Sequence, residues 1–207
     1  MEEENTKKKF PKWIIAVIII AAVVLGIGGC GVKNYNTLVS MDENVSSAWA
    51  QVENQYQRRM DLIPNLVATV KGYAAHESDV LTAVSEARAS AGGQVNISDE
   101  VLSDPDAFAR YQKVQDNLGA SLQRLLMVTE NYPELKADEN FLALQNQLEG
   151  TENRIAVERK RFNDAAQALN SKIRRFPSNL FAGMAGVEKR PYFEASAGAE
   201  KAPAVEF

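Results

Sequence analysis

His76 and Glu77 are the pair in this chain that most directly invites a chemical reading, because a His-Glu step opens the helix motif of zinc proteases. That motif needs a second imidazole four residues on, so that both rings face one metal, and the position is Val80. His76 is the chain's only histidine, which excludes zinc hydrolysis by this route. A histidine relay would have to use Ser78 or Ser85, with no oxyanion signature beside either. His76 therefore reads as a polar group on a helix surface or at an interface, and a pH-sensing role has no support. Cys30 is the only cysteine, so an intrachain disulfide framework and a Cys-based zinc site are excluded as well. No catalytic residue, metal or cofactor is expected.

A second constellation is structural in character. Asn54, Arg58, Asp61 and Asn65 fall at steps of four, three and four and so share one face of a helix, with Gln57 beside them. Pro64 interrupts this stretch: it lacks the amide that would bond the carbonyl of Met60, leaving that oxygen free. Arg59 sits on a track otherwise occupied by apolar residues, and a charge there calls for a carboxylate, Asp61 and Glu53 being the nearest. A later helix offers Arg154, Arg161, Asn163 and Asn170, the last two one heptad apart. The stripe reads either as a solvated face or as a polar layer fixing the alignment of the two helices, as a buried Asn does in coiled coils. Neither reading requires a ligand.

The elements that must position these residues follow from periodicity. Leu38, Val45, Val52, Leu66, Tyr73, Val80 and Ala87 recur at multiples of seven, with a parallel track through Trp49, Tyr56, Ile63, Val70 and Val84. The pattern predicts a first helix over 36–91, continuous but kinked at Pro64; the rival is a fresh helix capped by Asp61. Gln94 to Ser103 reads as an exposed connection. Asp104 and Pro105 open a second helix, as N-cap and first helical residue, with Phe108, Tyr111, Leu118, Leu122, Leu125 and Leu126 as its buried stripe. A third helix starts near Asp138 and carries Phe141, Leu148, Ile155, Phe162, Leu169 and Phe176 at steps of seven, ending at Pro177. After a short turn at 179–182, in which Phe181 docks on the bundle, the chain becomes Gly-, Pro- and Ala-rich, with Tyr192 and Phe193 as further docking aromatics. The first helix is too long for one partner to sheath, so its halves count separately in a bundle of three to four long helices or its surplus apolar face meets another copy.

Residues 13–32 form an uncharged run of twenty, long enough to cross a hydrocarbon core. Lys7, Lys8, Lys9 and Lys12 precede it and only Lys33 follows before Arg58, which puts the N-terminus in the cytoplasm and the domain outside the inner membrane. The alternative is a lipoprotein anchored through Cys30, since Ile27-Gly28-Gly29-Cys30 has the outline of a lipobox. Gly28 stands where Ala, Ser or Thr is usual, and the apolar run exceeds a signal core, so a retained anchor is favoured. The first 33 residues hold five basic and three acidic groups, leaving 18 against 24 beyond them and a net charge of -6. A domain that acidic makes a poor binder of nucleic acid or of anionic lipid on bulk electrostatics, and no nucleic-acid partner is expected. The expected organisation is an all-α chain: a cytoplasmic basic segment (1–12), a transmembrane anchor (13–32), an elongated antiparallel bundle (33–182) and an extended tail (183–207). Its final residues, Ala204 to Phe207, have the pattern that a PDZ groove accepts.

Three blocks then carry a resemblance: YNTLVSMDENVSSAWAQVENQYQRRMDLIPNLVATVKGYAAHE (35–77), ENRIAVERKRFNDAAQALN (152–170) and FPSNLFAGMAGVEKRPYFEA (176–195). In this order they resemble the LemA family of bacterial membrane proteins. The resemblance implies a single N-terminal anchor, a helical bundle and no established catalytic activity. Its themes are membrane organisation and protein quality control, with envelope proteins, among them a membrane protease, as partners. The function expected is a non-enzymatic scaffold or adaptor of the cell envelope; the alternative is a ligand-binding sensor with its site near the Pro64 kink.

Overall fold

The computed structural model describes residues 12–93 and 98–195. The basic residues before Lys12 and the terminal Ala204–Phe207 pattern lie outside the described residues.

The chain is all-α, as its periodicity predicts. Helix α1 spans Lys12–Tyr73, α2 Ser78–Gly92, α3 Ser98–Ser103, α4 Pro105–Thr129, α5 Pro133–Lys136, α6 Glu139–Ile173 and α7 Ser178–Ala182. The apolar run and the first bundle helix are one element. At 1.5 Å per residue, the 62 residues of α1 form a rod of about 93 Å, entering the bundle with no linker. Val17, Ile18, Ile19, Ile20, Val24 and Leu25 of the run lie exposed, and this is the one described helix long and apolar enough to cross a membrane.

α1 passes through Pro64 without interruption, so the continuous helix is correct and the Asp61 restart is not. The break comes later. Where the heptads predict helix to 91, the chain leaves α1 at Ala74–Glu77 and α2 doubles back. Ala74 is fully buried there and Tyr73 is exposed, so the apolar track expected through Tyr73 is carried by its neighbour. Nothing local forces this: α2 finds its main partner in α4, and reaching it requires the reversal. Tyr73 donates to Asp138 Oδ2 at 3.0 Å and Tyr132 to Glu77 Oε1 at 3.0 Å, fastening the turn to the start of α6 and to the α4–α5 junction.

Cross-contacts fix the topology. Arg59 meets Glu152 while Tyr56 meets Arg159, so α1 and α6 run antiparallel; α4 runs alongside α1 and α2 against both, giving an up-down bundle. Asp104 caps α4 by accepting from Asp106 N at 2.8 Å, and Asp138 caps α6 by accepting from Phe141 N at 2.8 Å. α6 ends at Ile173 rather than Pro177, and Phe176, expected as its last buried residue, is 81% exposed. The helix has already stopped, so the heptad no longer describes where that side chain points. The stretch expected as an exposed connection also holds α3, whose Val101 and Leu102 are buried.

α2 covers only the half of α1 distal to the apolar run. In the proximal half its place is taken by α3, α7 and an extended segment, 187–195. Trp49 centres this half, with the rings of Tyr111, Phe162, Phe108 and Phe193 at 5.3, 5.5, 5.7 and 5.9 Å. Aromatic pairs at such spacing contribute about 0.5–1.5 kcal/mol each beyond their buried area. The distal half has its own core of Ile63, Leu66, Val70, Leu118, Leu125, Phe141 and Leu148.

Candidate functional site

Between these two apolar cores lies a polar layer, and Arg59 is its centre. The Arg59 side chain is 2% exposed. Its Nη1 donates to Glu152 Oε1 at 3.1 Å, and its Nη2 to the Gln115 carbonyl at 3.1 Å and to Gln115 Oε1 at 2.6 Å. One turn away Arg159 Nε donates to the Tyr56 hydroxyl at 2.7 Å and Arg159 Nη2 to Asp116 Oδ1 at 2.8 Å. Each guanidinium thus ties together α1, α4 and α6. Both also lie over the Tyr56 ring, at 5.2 and 5.5 Å from its centroid.

The electrostatics follow from burial. Desolvation pushes the Tyr56 hydroxyl up to about 12, although Arg159 and Arg59 pull the other way, and burial raises Tyr111 too. For Arg159, burial works against the charge but is outweighed by Tyr56 and Asp116, so its pKa is raised. Arg59 Nε is buried without a partner, which lowers what the network contributes.

Of the two readings open for the Asn54, Arg58, Asp61 and Asn65 stripe, its exposure fits the solvated face, while the layer that joins helices is built on Arg59. Asn54, Gln57, Arg58, Asp61 and Asn65 are all exposed; Gln57 donates to Asp61 Oδ1 at 2.8 Å along the surface. These positions lie on the side of α1 turned away from α4 and α6. Arg59's carboxylate is Glu152, 93 residues away, rather than Asp61 or Glu53. Gln115, which completes the layer, does leave a trace: it stands four residues after Tyr111 and three before Leu118, a polar residue on an apolar stripe.

Asn163 and Asn170 do not face the α1 stripe either. Each exchanges two hydrogen bonds with the backbone of the extended segment. Asn170 Nδ2 donates to the Arg190 carbonyl at 2.8 Å while Arg190 N donates to Asn170 Oδ1 at 2.9 Å; Asn163 makes the same pair with Phe193, both at 2.9 Å. Gln112 on α4 repeats the exchange with Glu194, at 2.9 and 3.2 Å. A heptad on a helix advances about 10.5 Å and three extended residues about 10 Å, so the two Asn match the Arg190–Phe193 step. Arg190 adds an ion pair to Asp42 Oδ1, at 2.8 Å from Nη2. Tyr192 remains 42% exposed, with its hydroxyl accepting from Asn170 at 2.9 Å.

A cleft of about 710 Å³ opens between α4 and α6 above this layer, lined by Gln115, Gly119, Glu152, Arg159, Asn163 and Phe193, with Arg59 at its floor. Of its charged groups, Arg59 is engaged with Glu152 and Arg159 with Asp116. At Pro64 the carbonyl of Met60, expected to be free, accepts from Arg88 Nε of α2 at 3.1 Å, and Pro64 itself is exposed. His76 lies exposed in the turn between α1 and α2, rather than on a helix. Ser78 donates to Asp79 and Ser85 to the Leu81 carbonyl, so neither is poised toward an imidazole. Cys30 is exposed on α1, beside Asn34, whose Nδ2 donates to its carbonyl at 2.9 Å. Among the described residues no group of three His, Cys, Asp or Glu side chains is set to hold a metal. Chemically, the arrangement joins helices.

The magnetosome protein MamQ 2 of Paramagnetospirillum magneticum is 28% identical over 199 residues, covering 89% of this chain and 73% of that protein. Magnetosome protein MamQ of Magnetospirillum gryphiswaldense is 27% identical, over 86% of this chain and 70% of its own. Protein LemA of Metamycoplasma hominis is 22% identical, over 94% and 85%. Residues 48–207 match the LemA family, from the turn of α1 that carries Trp49 onward, and the chain belongs to that family.

Proposed function

We propose that the protein is a non-enzymatic scaffold of the bacterial cell envelope, anchored in the inner membrane by residues 13–32 with its N-terminus in the cytoplasm and its bundle outside. The observation that carries this is the continuity of α1 from Lys12 to Tyr73. A helix shared by anchor and bundle core transmits position and orientation, which a scaffold needs and a tethered soluble enzyme does not. The engaged charges of the Arg59 layer support the same reading, because they hold three helices together. The relatives named for the magnetosome favour membrane organisation as the setting, and partnership with envelope proteins, a membrane protease or further copies fits it.

Crosslinking the full-length protein in native membranes, followed by mass spectrometry, tests the proposal. Reproducible crosslinks from the bundle to envelope proteins or to other copies are expected. A bundle that crosslinks to nothing, and whose melting temperature shifts with a small molecule, would replace the scaffold by a sensor.

A further inference from the structure

Phe176, Leu180 and Met184 are 81, 62 and 75% exposed, three large apolar side chains at steps of four along the chain that enters and leaves α7. The opposite side of the same segment is packed: Ser178 and Ala182 are buried and Phe181 is half-buried. That packed side sits on α1 at one level. The Phe181 ring would stand 3.2 Å from a Cβ placed on Gly31, and Ser178 Oγ hydrogen-bonds Asn34 Oδ1 at 2.8 Å. Gly31 and Asn34 bracket the end of the apolar run at Val32. The exposed apolar face is therefore at the foot of the bundle, where α1 would leave the bilayer.

Two further observations agree. Trp13 and Tyr35 are exposed and lie 22 residues apart on α1, about 33 Å, close to the thickness of a hydrocarbon core, so aromatic residues mark both boundaries of the span. Around the foot, Lys33, Arg174 and Arg175 are exposed and have no ion-pair partner among the described residues. The domain is acidic as a whole, but at this end apolar tips stand beside unpaired cations, a local arrangement that suits an interface of acyl chains and anionic headgroups.

We infer that Phe176, Leu180 and Met184 form a second membrane contact, inserted at the headgroup boundary of the leaflet that α1 exits, with Lys33, Arg174 and Arg175 meeting lipid phosphates. The inference rests on the reading of residues 13–32 as a membrane span. Its consequence is mechanical: a rod held at two points has a fixed rotation about its axis, whereas a single span is free to turn.

The test uses the full-length protein in a Cys30→Ser background, reconstituted in vesicles of phosphatidylethanolamine and phosphatidylglycerol. A fluorophore is placed singly through Val24→Cys, Leu180→Cys, Met184→Cys or Met127→Cys. Met127 is 60% exposed on α4 at the far end of the bundle. Spin-labelled lipids quench at shallow or deep positions. Deep quenching at 24, shallow quenching at 180 and 184, and none at 127 are expected. Replacing Arg174 and Arg175 by Gln should weaken the shallow signal on these vesicles. If 24 is quenched while 180 and 184 are not, the foot is wrong and the span stands. If 24 is unquenched, the span itself fails and the foot with it. Self-quenching between copies at 180 and 184 in place of lipid quenching would make this face a protein interface and overturn the proposal.

Discussion

Arg88 Nε donates to the carbonyl oxygen of Met60 at 3.1 Å, and Met60 is the residue whose helical donor Pro64 removes. A side chain from α2 thereby fills a vacancy that proline creates in α1, which explains how a buried stretch of α1 tolerates Pro64 without a break. The bond also ties the returning α2 to the helix it left.

If that account is right, the two positions are energetically coupled. Arg88→Ala should cost about 1 kcal/mol in thermal or urea unfolding. In a Pro64→Ala background, where residue 64 again supplies an amide to Met60, the same exchange should cost markedly less. A double-mutant cycle measures the difference, and strictly additive effects would show that the Arg88 contact is incidental.

For Arg59 the expectation turns on what is left behind. Glu152 is 41% exposed and can rehydrate, but Gln115 is 1% exposed and its Oε1 would lose its 2.6 Å donor in a buried place, while its carbonyl keeps its bond within α4. Arg59→Leu should therefore destabilise by roughly 2 kcal/mol, and adding Gln115→Leu should recover most of that loss. Recovery from a Glu152→Leu exchange instead would put the weight on the ion pair.

These two networks also show what sequence carries and what it does not. Asp104, Pro105 and Asp138 act within a turn of their own helices, so their roles could be read locally. The α6 track from Phe141 to Leu169 was legible because one face meets one partner throughout. Arg59 was legible as an anomaly, a charge on an apolar track, but its partners lie 56 and 93 residues away and depend on how three helices align. The reversal at Ala74–Glu77 left no mark, since Leu66, Tyr73 and Val80 keep the heptad across it; the attraction of α2 for α4 decides it.

Alkaline pH should weaken the fold through its buried phenols. Burial raises the pKa of Tyr56 from 10.0 to about 12, and that of Tyr111 as well. A raised folded-state pKa means that the contribution is fully present below pH 10 and is lost as pH climbs toward 12, at about 1.4 kcal/mol per unit for each tyrosine. Tyrosinate absorbance and circular dichroism, followed together, should show Tyr56 and Tyr111 ionising only as helix is lost. Ionisation of Tyr56 and Tyr111 near pH 10 with the bundle intact would contradict the assignment.

Asn163 and Asn170 make a separate prediction, because each holds the extended segment through both a donor and an acceptor. Asn→Asp at either position keeps size and acceptor but replaces the amide donor with a carboxylate facing a carbonyl, so it should release the segment more than Asn→Ala does. Trypsin cleavage after Lys189 and amide exchange over 187–195 are the measurements. Both should accelerate in the Asp variants, while α1 and α4 keep their protection, since the distal core of Ile63, Leu118 and Phe141 is remote from the segment. The proximal core should respond differently. Phe193 is one wall of the aromatic group around Trp49, so releasing the segment should also shift Trp49 fluorescence toward that of a hydrated indole. Faster proteolysis with unchanged tryptophan emission would mean that the asparagines hold only the backbone and that Phe193 stays seated by its own packing.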